Sequence, residues 1–420
     1  MNESDGKPSS IQVESADKRV HGQLPDTFDD LNDVDLRALE RELVRKIDLH
    51  LISSLFLLFI FNILDHDLHL TDTQYQAAVA IMLLGQIPSN ILLTRLKPSR
   101  YLPTAIFIWG GISLCTAATK DFTGIMCVRV FLGFAESPFF PGGLLLTSSW
   151  YKPSEIALRV AIVYCGNTIA NGFGSIFCCG RDEWIGRHGG WLFSVKGAGT
   201  MVAGLLAVLL LPEFPRSGQR KWLTAQEQRF AEWRLARDTN DEVDENGSVK
   251  EGLRDALTDP KAWLLVLIQV CQLTSQSWTY FFPTIAGTLG LSQIITLLVI
   301  APAYVCGSLV SLGNSLIANH TDQRAVLIVW PLCVDIVGNV MVIAAHTTAV
   351  RYIGMFLMCA GSYSAFNVVQ AWIASTTPRT RTKRAVVYAL VNLFGNSSNI
   401  YGSARRAEER DGQARYKYIW

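Results

Sequence analysis

The sequence predicts an all-α protein that crosses a membrane about eleven times, as a bundle of six spans followed by a bundle of five. Three observations predict it. Only 17% of the 420 residues are charged and 50% are hydrophobic, whereas a soluble chain is about 25% charged. The charges are also unevenly placed, collecting in residues 1–48, 212–260 and 403–420 and leaving long apolar runs elsewhere. Those runs have the length of a membrane span, about 20 residues for a hydrocarbon core of about 30 Å. Backbone amides find no water there, so spans of this kind must be helices rather than open sheet.

In chain order, residues 1–48 read as a polar, largely disordered tail with no apolar leader segment. The first bundle, 49–211, holds candidate spans at 49–64, 74–94, 101–119, 124–150, 158–180 and 190–211. A polar central loop, 212–260, follows. Within it "TAQEQRFAEWRLARD" (224–238) reads as an amphipathic helix opened by Thr224 and Glu227, a capping box. This helix is expected to lie in solvent or on the membrane surface. The second bundle, 261–402, holds candidate spans at 262–286, 292–318, 325–345, 351–375 and 384–402, and residues 403–420 form a polar tail.

Lys and Arg in the short loops set the orientation. Nine fall on the side of the N-terminus, among them Arg95, Lys97, Arg100, Arg379, Arg381, Lys383 and Arg384, against Lys120, Arg181 and Arg187 on the other side. The N-terminus and the central loop are therefore expected in the cytosol.

Net charge is +1, which gives no basic field for nucleic acid. The nine cysteines show no CxxC pair; Cys115, Cys127, Cys165, Cys271 and Cys333 stand alone in apolar runs and read as small buried apolar residues. No nucleophile elbow, phosphate loop or metal cluster is present in the sequence, so neither an enzyme nor a cofactor is expected.

Polar groups inside the spans carry the functional reading. "VRVFLGFAESPFFPGGLLL" (128–146) holds Arg129 and Glu136, seven residues and about 10.5 Å apart, on one face of a helix. Charge in a membrane interior is expensive and generally lines a cavity or a transport path. Gln269, Gln272, Gln276 and Tyr280 form one polar face of the seventh span; Tyr164, Asn167 and Asn171 do so on the fifth, and Asn392, Asn396 and Asn399 on the eleventh. Asn367 and Gln370 lie on the tenth. Such faces either line a cavity or hydrogen-bond a neighbouring helix. Asp335 on the ninth span reads as a helix-packing group, and Gly166, Gly172 and Gly174 as sites of close helix approach.

Arg129-x-x-x-Gly133, Glu136, Phe140-Pro141-Gly142, Trp150-Tyr151 and Glu155-x-x-x-Arg159 together resemble the fourth helix and following loop of the anion:cation symporter branch of the major facilitator superfamily, the fungal allantoate permease-like members above all. "RKIDLHLISSLFLLFIFNILD" (45–65), "TDTQYQAAVAIMLLGQIPSNILLTRLKPSRYLP" (71–103), "LPEFP" (211–215), "WLTAQE" (222–227) and "TDPKAW" (258–263) extend the resemblance over about residues 40–402. It implies a two-bundle, alternating-access symporter of a small organic anion such as allantoate, nicotinate or pantothenate, driven by protons. It would be a monomer in the lipid bilayer, in the plasma membrane of a fungus. It also implies that Arg129 holds the substrate carboxylate and Glu136 takes part in proton coupling. Gln269, Gln272, Gln276, Asn367 and Asn392 are the further substrate-binding candidates. Export of a fungal metabolite and a non-transporting, sensor-like homologue stand as alternatives. Two departures bear on them. Asp65 is followed by His66, Asp67, Leu68 and His69 where the family continues its first helix with an arginine, and the resemblance stops short of a twelfth helix.

Overall fold

The computed structural model describes residues 32–66, 85–116, 119, 122–179, 185–215, 222–239, 248–280, 293–321, 323–345, 347–377 and 380–397. Among them there is no strand, and every regular element is a helix.

The first helix, α1 (Asp33–Ile47), precedes the bundle. Asp33 and Asp35 in its first turn and Arg45 and Lys46 in its last complement the helix dipole. Leu39, Leu43, Val44 and Ile47 form its buried face. Part of the stretch expected to be a disordered tail is thus a docked helix, because its apolar residues recur at helical spacing. A π turn, Asp48–Ile52, runs without a break into α2 (Ser53–His66), the first span.

Residues 85–95 (α3) end the second span. The third is α4 (Pro98–Thr116). The fourth was expected as one run over 124–150 and is two helices, α5 (Phe122–Glu136) and α6 (Phe139–Trp150). Pro138 has no N–H to give to the Phe134 carbonyl. The Ser137 hydroxyl supplies the missing donor, bonding Phe134 O at 2.8 Å, so the turn leaves no bare acceptor. Next come α7 (Pro153–Cys179) and α8 (Ile185–Leu210).

The central loop holds α9 (Ala225–Thr239) and α10 (Val249–Thr258). The capping box forms reciprocally: Thr224 N donates to Glu227 Oε2 at 2.8 Å, and Glu227 N to Thr224 Oγ1 at 3.2 Å. The helix does not lie free in solvent, however. Phe230, Ala231 and Arg234 are buried against the first bundle.

The second bundle comprises α11 (Pro260–Ser275), a 3-10 turn at Gln276–Tyr280, α12 (Gln293–His320), α13 (Arg324–Ala344), α14 (Thr348–Thr376) and residues 381–397 (α15). The expected count of eleven spans rests partly on residues outside the described set, and Asp67, Leu68 and His69 lie outside it too.

Packing follows the small residues. A Cβ on Gly110 of α4 would lie 2.9 Å from Gly197 O of α8, and one on Gly197 would lie 2.8 Å from Gly110 O, so these two backbones touch. Gly166 of α7 similarly faces Phe56 O of α2 at 3.3 Å; Gly172 and Gly174 fall among positions whose surroundings lie outside the described set. Within the second bundle α13 packs along α14, and the two bundles meet where α7 runs against α12 and α14.

The outer surface is apolar: Phe131, Leu205, Leu209, Leu264, Leu309, Val337 and Ile343 are all exposed. A soluble protein would not display so much apolar area; lipid covers it. Val130–Trp150, Val299–His320, Arg324–Ala344 and Thr348–Thr376 are each long and apolar enough to cross a membrane. The same surface corrects the reading of the cysteines. Cys115, Cys127, Cys271 and Cys333 are exposed on the bundle exterior and Cys165 is half-buried. A lipid-facing position suits a small apolar side chain as well as a core position does.

Candidate functional site

Helix α5 carries Arg129 and Glu136 two turns apart. Glu136 is half-buried at its last residue, directly before the Ser137–Pro138 turn; the Arg129 side chain lies outside the described residues. Beyond the turn, α6 packs Phe139 on Phe59 of α2 and presents Phe140 to Phe366 of the second bundle.

On the other side of that meeting is a buried set of amides. Gln269 and Gln272 of α11 are wholly withdrawn from the surface, and Asn367 and Gln370 of α14 and Asn392 of α15 nearly so. Gln272 is fixed: its Nε2 donates to Ser362 O at 3.1 Å and its Oε1 faces Gln269 Nε2 at 3.5 Å. Gln276 stands one turn on, with its Oε1 3.5 Å from Gln272 Nε2. Asn367 Nδ2 donates to Ser311 Oγ at 2.6 Å, and Asn392 Oδ1 accepts from Asn396 Nδ2 at 2.7 Å.

Each of these anchored amides except Gln272 and Gln276 has a second polar atom left over. Gln269 Oε1, Asn367 Oδ1, Gln370 Nε2 and Asn392 Nδ2 are buried and have no hydrogen-bond partner among the described residues. A buried polar atom left unpaired costs about 1–3 kcal/mol, so these four atoms are placed to bond water or a ligand. Two further amides were not foreseen from the sequence. Gln86 of α3 is buried with both amide atoms unpaired, and Asn90, one turn on, bonds Ala385 O at 3.0 Å and leaves its Oδ1 unpaired. Their spacing in an apolar span was the available signal.

The sequence-predicted candidates therefore fall in two groups. Gln269, Gln272, Gln276, Asn367 and Asn392 belong to the second bundle, whereas Arg129 and Glu136 belong to the first. The link between the groups is aromatic. Phe140 packs on Phe366 with ring centroids 6.0 Å apart, and Tyr164 of α7 stacks on Phe366 at 4.4 Å. Asn399 and the side chains of Asn171 and Tyr280 lie outside the described residues. Asp335 takes the packing role: it accepts from the Ser275 hydroxyl of α11 and, at 3.1 Å, from Asn339 Nδ2.

At the end of the molecule that carries α1, α9 and α10, the two bundles are joined by polar contacts. Arg384 Nη1 donates to Ser148 O at 2.9 Å and Arg324 Nη2 to Pro153 O at 3.3 Å, while the Arg381 guanidinium lies 4.1 Å over the Phe214 ring. The bundles are closed against each other at this end. Just outside, α1 and α9 grip the segment between α6 and α7. Glu40 pairs with Lys152 at 2.5 Å and with Arg234 at 3.4 Å. Asp48 accepts from Tyr151 Oη at 2.6 Å and from Arg159 Nε at 3.2 Å. Burial would raise the Glu40 carboxyl, but the hydrogen bond and charge of Lys152 and the charge of Arg234 outweigh it and hold it below the usual carboxylate range. Glu227 is likewise held low: burial raises it, and the hydrogen bonds from Lys46 and Thr224 prevail.

The profile of the Major Facilitator Superfamily matches residues 49–403. Among curated proteins, the MFS-type transporter cnsO of Penicillium expansum is 29% identical over 405 residues, covering 87% of this chain and 78% of that protein. Among solved structures, the human organic anion transporter MFSD10 shares the fold with a TM-score of 0.60 at 10% identity, over 85% of this chain and 92% of that one. The proton:xylose symporter XylE shares it with a TM-score of 0.56 at 15% identity, over 90% of this chain and 86% of that one.

Proposed function

Because the chain belongs to the Major Facilitator Superfamily and is a multi-pass membrane transporter, not an enzyme, we propose that it carries a small organic anion together with protons. Its ligand site lies between the bundles. Arg129 takes the carboxylate, since a guanidinium stays charged and binds carboxylate in a two-pronged geometry. Gln269, Gln276, Asn367 and Asn392 bond the ligand's neutral polar atoms, and Gln272 holds Gln269 in place. Glu136 carries the coupled proton.

What supports this reading is the set of unpaired amide atoms in the second bundle, together with the Phe140–Phe366 contact by which the bundles meet and a first-bundle helix that holds an acid and a base two turns apart. Closure at the loop end is what an alternating-access carrier needs in one of its states. The closed end bears the basic loops, so it is the cytosolic end, and the N-terminus is cytosolic with it. The protein works as a monomer in the plasma membrane.

Reconstitution into liposomes tests the reading. A proton gradient should drive accumulation of a labelled carboxylate from a panel of small acids, and a protonophore should abolish it. Accumulation that survives collapse of the gradient overturns the coupling; transport of neutral solutes alone overturns the anion.

A further inference from the structure

The two bundles touch through aromatic rings at the level of the candidate site. Tyr164 of α7 and Phe366 of α14 stack with centroids 4.4 Å apart and planes inclined by 29°. Phe59 of α2 supports Tyr164 from behind at 6.0 Å, and Tyr363, one turn from Phe366, meets Tyr164 at 5.9 Å. Tyr164 and Phe366 are 9% and 3% exposed, so both rings are largely buried.

Tyr164 and Phe366 belong to different bundles, so any motion that parts the bundles around a ligand must part this stack. Parting uncovers two buried ring faces at once. Phe366 also shares its helix face with Gln370, four residues on, and adjoins Asn367. Gln370 Nε2 and Asn367 Oδ1 are a donor and an acceptor without partners. The ring therefore stands beside polar atoms that the protein leaves unmet, which is the pattern of a ligand surface and not of a finished core.

We propose that Tyr164 and Phe366 are a ring clamp and that the transported ligand is a flat, unsaturated-ring carboxylate. A flat ring entering between the two faces covers both again and recovers two ring–ring contacts. A saturated ring of the same size is thicker, has no π face and cannot stack. Two such contacts amount to about tenfold in affinity. The carboxylate half of this proposal rests on the anion-carrier reading above; the ring half does not.

The test is equilibrium binding to the full-length chain in lipid nanodiscs, with benzoate, cyclohexanecarboxylate and benzamide as probes. Benzoate and cyclohexanecarboxylate carry the same charge, and simple apolar burial favours the saturated ring, so a preference for benzoate reads stacking. Benzoate should bind about tenfold more tightly than cyclohexanecarboxylate. Phe366→Leu should bring the two to near parity, and Phe366→Tyr should keep the preference, which separates loss of the ring face from loss of folding. Equal binding of the two acids by the unmodified chain, a preference that persists in Phe366→Leu, or no binding of any of the three probes at millimolar concentration overturns the clamp. Benzamide binding as well as benzoate would leave the clamp standing and overturn the anion reading. Equal binding of the two acids with benzamide excluded would do the reverse.

Discussion

Arg234 Nη1 lies 3.1 Å from Glu155 Oε1, across 79 residues of sequence. Arg234 is only 2% exposed; its other terminal nitrogen donates to Trp150 O at 3.0 Å, and Glu40 of α1 closes the group at 3.4 Å. The second bundle also reaches this stretch: Arg384 donates to the carbonyl of Ser148, two residues before Trp150, and Arg324 to that of Pro153 within it. One short segment is thus fixed from the loop side by α1 and α9 and from the opposite side by the other bundle.

Removing Arg234 should loosen the first of these grips. Arg234→Ala leaves Glu155 and a buried carbonyl without their partner, and breaking a buried pair in this way costs about 3–5 kcal/mol. A lower thermal midpoint in detergent, with protease access to α9, is the expected outcome. Arg234→Met fills the same space and should lose less; a midpoint unchanged in Arg234→Ala would show that the grip contributes nothing.

The pH dependence of the grip follows from its carboxylates. Glu40 and Glu227 sit below their ordinary values. A lowered carboxyl contributes stability that is complete above its unfolded value and lost as pH falls through its folded value. Lys46, whose value is raised chiefly by the hydrogen bond to Glu227, contributes below its unfolded value and fails only as pH rises through the folded one. Docking of α1 should therefore be steady from about pH 5 to pH 10 and weaken below about pH 4. Hydrogen exchange over Asp33–Ile47 reads this directly, and protection lost between pH 6 and pH 8 would contradict it.

Between the bundles, Arg384→Met should favour the state open at the loop end. It deletes a charged hydrogen bond to Ser148 O, worth about 1.5–3 kcal/mol, and so shifts the open population roughly tenfold or more. Labelling of a cysteine placed by Ser148→Cys, in a chain whose native cysteines are replaced, should speed up accordingly. An unchanged labelling rate would mean that the contact does not hold the closed state.

Helix approach at Gly110 leaves no room for a side chain. Its Cβ would meet Gly197 O and Met201 N, both backbone atoms, within 2.9 Å. Gly110→Ala should destabilise by about 1–3 kcal/mol through forced separation of α4 and α8. Gly111, where a Cβ meets nothing within 4 Å, is the control: Gly111→Ala should leave the thermal midpoint where it is.

Within the candidate site, Arg129→Lys should keep the charge but lose the two-pronged fit, weakening carboxylate binding about tenfold or more. Glu136→Gln, a mimic of the protonated acid, should abolish uphill accumulation while exchange of substrate continues. If the two charges only hold the bundle together, both variants will instead lower the folded yield in parallel.

Composition and periodicity by themselves determined that the chain is an all-α membrane protein and how the Thr224–Glu227 box starts α9, because each depends on neighbours in sequence. The amide face Gln269, Gln272 and Gln276 was legible for the same reason: a helix repeats every 3.6 residues. Tertiary structure decided what sequence spacing cannot carry. It joined Asp48 to Arg159, Arg234 to Glu40 and Glu155, and Tyr164 to Phe366, pairs whose members lie on elements brought together only by packing. It also decided which side of an apolar helix meets lipid. The isolated cysteines read as buried and are mostly on the exterior, since in a membrane both the core and the surface are apolar and composition does not distinguish them. One span was expected over 124–150; the structure divides it at Ser137–Pro138, where the Ser137 hydroxyl takes the Phe134 carbonyl that the proline leaves without a donor.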